Sequence, residues 1–195
     1  GNQTAVIDQY RKIISAHPGS GYAHHNLGIH LLAAGDREEA VHLLKLAVAL
    51  DADSAKSLLA LGKLSMQSGA SADALDYLRQ ALEVAPDDAK VHSQLGRVLG
   101  MQNQLDEAMD HLNRAIVLQP DFAAAHYDLA VAYSVTGQLE AAIQSCRQAA
   151  KLAPNWPAPR AHAAWILATN PRPEIRNGKQ AVRLAQQATE LTDHR

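Results

Sequence analysis

Residues 55–88 read AKSLLALGKLSMQSGASADALDYLRQALEVAPDD, and the chain repeats the plan of this stretch on both sides of it. Leu61-Gly62 recurs 34 residues earlier as Leu27-Gly28 and 34 residues later as Leu95-Gly96, then once more as Leu129-Ala130. Ala40, Ala74, Ala108 and Ala142 keep the same step, and so do Ala47, Ala81, Ala115 and Ala149. A further register runs through Pro18, Pro86, Pro120 and Pro154, with Ala52 where the proline lapses. Registers that agree on one period mark an array of structural repeats, each too small to bury its apolar face without a neighbour. Four full copies fit, 21–54, 55–88, 89–122 and 123–156.

Each copy predicts two helices, which in copy one run from Gly21 to Ala34 and from Arg37 to Leu50. Gly35, Gly69 and Gly137 stand where a first helix must end in a left-handed residue, and Asn103, the next best residue there, takes the place in copy three. Acidic residues open the second helices, as Asp36, Glu38 and Glu39 do in copy one, and match the positive end of the helix dipole. The prolines stop them. Gly28, Gly62, Gly96 and Ala130 carry almost no side chain, so a facing helix can approach closely.

These residues resemble the tetratricopeptide-repeat family, whose pattern sets a large residue, Leu-Gly, an aromatic, then Ala, a bulky residue, Ala and Pro at fixed offsets. The resemblance implies an all-α fold, a right-handed superhelical solenoid of antiparallel helix pairs forming a single domain over 1–195. Its ends depart from the pattern. Residues 4–18 read as a second helix alone, with Val6, Tyr10 and Ile13 at the packing offsets and Pro18 closing it. At the other end, 157–192 form an atypical repeat: a first helix from Arg160 to Ala168, an insertion of about five residues with Pro171 and Pro173, and a second helix from Gly178 to Thr192. The run from Ala164 to Pro171 looks like a variant repeat of bacterial members, after which further repeats commonly follow.

Composition excludes several classes of function. Eighteen basic residues against 20 acidic ones give a net charge of −2, so neither nucleic acid nor an anionic membrane is an expected partner. No apolar stretch approaches the roughly 20 residues that cross a bilayer, and no basic-then-apolar signal opens the chain. The lone Cys146 occupies the bulky position that Leu44, Leu78 and Leu112 fill in the other copies, and its helical neighbours Ala142, Ile143, Ala149 and Ala150 supply no base, so it reads as a core thiol. His24, His92 and His126 fall at one repeat position, but none of the ten histidines shares the spacing of a helical zinc site, and a structural role is expected for them. Asn2-Gln3-Thr4 is formally a glycosylation sequon. No convergent acid, base, nucleophile or cofactor loop is present, so neither catalysis nor a cofactor is expected.

Charge is segregated between the helices. Across the first-helix stretches 21–34, 55–68, 89–102, 123–136 and 157–170 the only acid is Asp128, against Lys56, Lys63, Lys90, Arg97 and Arg160. In the family these helices line a concave groove, so the resemblance implies a mildly cationic groove. Its inward positions are Tyr22, His25, Ile29 and Leu32, then Lys56, Leu59, Lys63 and Met66, Lys90, Ser93, Arg97 and Met101, and finally Tyr127, Val131, Ser134 and Trp165. Tyr22, Tyr127 and Trp165 are the candidate anchors, and His25, Lys56, Lys63, Lys90 and Arg97 the candidate polar contacts. The clamp that some members use for a chaperone's terminal carboxylates is not matched, since His25, Ile29, Ala60 and Gln94 stand at its places and only Lys90 agrees. The asparagine ladder of glycosyltransferase-linked members is absent too, its places reading Asn26, Ala60, Gln94, Asp128 and His162. The expected function is a scaffold that binds a protein or peptide segment, acidic in character. The alternative is a self-assembly module stacking head-to-tail through the solenoid ends.

Overall fold

The computed structural model describes residues 2–50 and 54–193; Ala52, where the proline register lapses, and the side chain of the sequon residue Asn2 lie outside the described residues. Among the described residues there are eleven α-helices and no strand. They group into two compact units, Gly1–Asp87 and Asp88–Arg195, whose division falls where copy 55–88 meets copy 89–122. The first unit holds α1 (Asn2–Ala16), α2 (Gly21–Ala34), α3 (Arg37–Leu50), α4 (Ala55–Gln67) and α5 (Ser71–Val84). The second holds α6 (Ala89–Met101), α7 (Leu105–Leu118), α8 (Ala123–Val135), α9 (Leu139–Leu152), α10 (Pro157–Thr169) and α11 (Gly178–Asp193).

One turn chemistry joins the two helices of each full copy. Gly35, Gly69 and Gly137 have φ of 91°, 78° and 76°, and Asn103 reaches 61°. That left-handed step turns the next backbone N–H back onto the carbonyl five residues earlier: Asp36 to Leu31, Ala70 to Ser65, Gln104 to Leu99 and Gln138 to Tyr133, at 2.8–2.9 Å. Otherwise orphaned carbonyls at the helix end are thereby satisfied. First helices begin less uniformly. Ser20 Oγ accepts the Ala23 N–H, and Asp88 Oδ1 accepts those of Lys90 and Val91, whereas α8 and α10 start at Phe122 and Trp156 without a side-chain cap.

Packing inside each pair follows the small residues. Leu44, Leu78 and Leu112, at most 1% exposed, seat over Gly28, Gly62 and Gly96. Burial of each such leucine contributes about 1.5–3 kcal/mol. In copy four Cys146 takes the leucine's place and Ala130 the glycine's, both fully buried in one cluster with Ala163. The thiol is therefore a core group, as its repeat position predicts.

The outer helices differ from expectation in detail. Helix α10 begins at Pro157, a turn before Arg160, because proline lacks only an N–H that the first helical turn leaves unused. The segment after it is built in rather than looped out. Ile175 is 8% exposed within a cluster with Ile143, Ile166 and Leu167; Asn177 N–H reaches Leu167 O at 2.9 Å, and Arg172 lies 3.5 Å from Glu140. Helix α1 packs on α2 and α3 through Ile7, while Val6 and Tyr10 are only partly covered and Ile13 is 37% exposed.

Candidate functional site

In the first unit, Tyr22 projects from the first turn of α2 and is 70% exposed. His25, one turn on, is half-buried and hydrogen-bonds through Nδ1 with Ser57 Oγ of α4 at 2.8 Å. Burial lowers its pKa, and the charge of Lys56 lowers it further, so a neutral ring is favoured. Lys56 is exposed and Lys63 partly so, both on α4.

In the second unit, Lys90 and Arg97 are exposed on α6, with Arg97 donating to Gln94 Oε1 at 2.8 Å. Tyr127 of α8 is only partly open. Its ring meets Trp156 edge-on at 4.8 Å and His162 at 5.9 Å, and His162 lies 6.4 Å from Trp165, itself 60% exposed. Tyr127 and Trp165 thus belong to one aromatic run, with His162 and Trp156 as members that no repeat position flagged. Ser134 Oγ donates to Ala130 O at 2.8 Å, so the contact at 3.0 Å between Ser134 and His162 Nε2 has the ring as donor. That leaves His162 Nδ1 a buried acceptor with no hydrogen-bond partner among the described residues, and burial lowers the pKa of the ring.

Not every inward repeat position opens to solvent. Leu59 is 8% exposed and Ser93 fully buried, so neither presents its side chain to solvent. Asp128, the lone acid of the first helices, stands beside a cavity of about 210 Å³ between α6, α7 and α8. A larger cavity of about 660 Å³ opens on α10 and α11. The histidines at the shared repeat position are engaged locally: His24 with Ser20 O at 2.8 Å, His126 with Pro120 O at 2.9 Å, and His92 with His111, Nδ1 to Nδ1, at 2.9 Å. Among the described residues no three His, Cys, Asp or Glu side chains converge as a metal site, and no helix is long and apolar enough to cross a membrane.

Paired helices, the left-handed turn and leucine-over-glycine packing define a helical-repeat protein. Tetratricopeptide-repeat profiles match residues 31–99 and 65–117 and residues 123–156, and a TPR-repeat profile matches residues 101–134. The chain belongs to the tetratricopeptide-repeat family. No curated protein matches it by sequence. Among solved structures it is similar to MamA from Desulfovibrio magneticus RS-1, with 22% identity and a TM-score of 0.75 over 90% of this chain and 97% of that one. It is similar to YrrB, described as a TPR protein with an unusual peptide-binding site, with 20% identity and a TM-score of 0.72 over 94% and 92% of the two chains. It also resembles a chain of the APC/C hetero-tetramer Cut9-Hcn1, with 20% identity and a TM-score of 0.77 over 98% of this chain but 39% of that one.

Proposed function

We propose that this protein is a non-catalytic scaffold that holds a segment of a partner protein against the exposed side chains of its first helices. The observation that carries the reading is the pair Tyr22 and Trp165, large aromatic side chains left 70% and 60% exposed on first helices. Exposed aromatic surface of this kind supplies contact area at low entropic cost, which suits a binding anchor. Lys56 and Lys63 in the first unit, and Lys90 and Arg97 in the second, add positive charge that favours acidic residues in the partner. YrrB has a peptide-binding site on the same fold. The only thiol, Cys146, is pushed up to about 12 by burial, which removes it as a nucleophile. A photo-crosslinking residue at Tyr22 or Trp165 should capture a protein from lysate, while the same probe at Val117, 69% exposed on the second helix α7, should not. Equal capture from all three positions would remove first-helix recognition.

A second reading, head-to-tail association of copies, is favoured by the cavity on α10 and α11. Its lining is almost wholly apolar, with Trp165, Ala168, Val182 and Ala185 in it, and Val182 is 58% exposed. The preceding pair, α8 and α9, buries such a face beneath α10. Contact between unlike faces propagates unless its rotation closes a ring. Light scattering after size exclusion separates the cases: a concentration-independent mass of 21.0 kDa removes this reading, and growth with concentration supports it.

A further inference from the structure

The 34-residue step sets Gly100 in register with Leu32, Met66 and Ser134, and Ala132 in register with Leu64, Val98 and Ile166. In the first unit Leu32 packs on the cluster of Leu44, Leu61 and Leu64. The corresponding place in the second unit keeps Leu112 and Leu129 for Leu44 and Leu61, but has Gly100 and Ala132 for Leu32 and Leu64. Two leucine side chains are thus missing from one spot. Gly100 and Ala132 both line the cavity of about 210 Å³ between α6, α7 and α8, which is the space those side chains leave.

Neither backbone conformation nor packing requires glycine at position 100. Its φ is negative, unlike those of Gly35, Gly69 and Gly137, and an added Cβ would meet nothing nearer than Ala108 Cβ at 4.0 Å. Gly96, a turn earlier, is different: a Cβ there would stand 2.7 Å from Leu112 Cγ. Glycine weakens a helix, and an unfilled apolar hollow forfeits van der Waals contacts along its lining. A larger side chain at Gly100 would therefore serve the fold better than glycine does. Around the mouth of the hollow Met101, Val131 and Val135 are held 64%, 39% and 61% exposed.

We infer that this hollow is a recognition pocket for one leucine- or methionine-sized side chain of a partner segment, which takes the place that Leu32 and Leu64 fill in the first unit. The inference rests on the scaffold reading and names what one of its surfaces selects. Selection is by size and apolarity and not by charge, since Arg97 and Asp128 line the hollow with opposite signs. The guest is part of a segment, not a free apolar molecule. A free molecule would leave Met101, Val131 and Val135 in water, whereas residues flanking a guest side chain cover them, and burial of that apolar surface adds to the driving force.

Random twelve-residue peptides displayed on phage and selected on the immobilised full chain give the test. Enrichment of sequences that share one Leu, Ile or Met is expected, and alanine in place of that residue should lower affinity about tenfold. Gly100→Leu refills the hollow from α6 and Ala132→Leu refills it from α8. Each should weaken the enriched peptides by about tenfold while melting no lower than the parent by circular dichroism, and Gly100→Ala, which leaves most of the hollow open, should keep the affinity. Enriched peptides that bind Gly100→Leu and Ala132→Leu as tightly as the parent would overturn the pocket and leave the scaffold reading standing. A selection that enriches nothing would overturn both.

Discussion

A Cβ added to Gly62 would stand 2.8 Å from the Cγ of Leu78, closer than real side chains approach. Gly96 is in the same position, 2.7 Å from Leu112 Cγ and 2.9 Å from Ala108 O. The leucine of each second helix therefore packs on bare backbone. Gly62→Leu should destabilise the protein by about 2–3 kcal/mol, the usual cost of overpacking a tight contact. Chemical denaturation of the variant measures it; an unchanged midpoint would mean that the repeat register is not what holds the pair together.

In copy four the same contact is made with Ala130 and Cys146, both fully buried. The extra methyl on one side and the shorter side chain on the other compensate. Cys146→Leu alone should cost about 1–3 kcal/mol through overpacking, and adding Ala130→Gly should recover most of it. A double-mutant cycle reads the coupling directly. Simple additivity would show that the two residues are not a matched pair.

Burial pushes the Cys146 thiol up to about 12, so at pH 8 almost no thiolate is present and no reagent has access. Labelling with a thiol-reactive dye should proceed in denaturant and stall in buffer. Prompt labelling of the native chain would contradict the packing of α9 against α10.

Asp128 is raised from 3.8 to about 6 in the folded state. Between those values the folded chain binds more protons than the unfolded one, so this group contributes stability at acid pH that is lost as pH rises through about 6. Asp128→Asn should be more stable than the parent at pH 8 by about 2 kcal/mol, a magnitude set by the shift and reduced by residual solvent contact. The gap should close towards pH 4. His25 and His162, whose pKa burial lowers, act in the opposite sense, so the parent's melting curve alone would mix the two. The difference between parent and variant melting temperatures isolates Asp128, and a gap independent of pH would reject its assignment as a buried carboxylate.

The helix boundaries of α2 and α3 coincide with those read from the sequence, because their signals are local. A residue such as Gly35 or Asn103 determines its own backbone angle, and a proline removes its own N–H. Leu61-Gly62 and its relatives were equally legible, since the 34-residue step places each small residue opposite a large one. Cys146 in the core and its Ala130 neighbour follow from that same register. Pro157 was misread as lying before its helix, since proline is a stop signal inside a helix yet fits its first turn.

The candidate site was less legible. Repeat position named Tyr22 and Trp165 as groove anchors, and both side chains are exposed, whereas Leu59 and Ser93, at inward repeat positions as well, are buried. Nothing local distinguishes those cases. The sequence by itself determined the period, the helix pairs, the turn chemistry and the presence of a single acid on the first helices. Only the tertiary structure decided that this acid, Asp128, lies largely covered beside a mostly apolar hollow that Arg97 also lines. A helix end depends on a few consecutive residues, whereas burial and hydrogen-bond satisfaction depend on atoms from helices far apart in the chain.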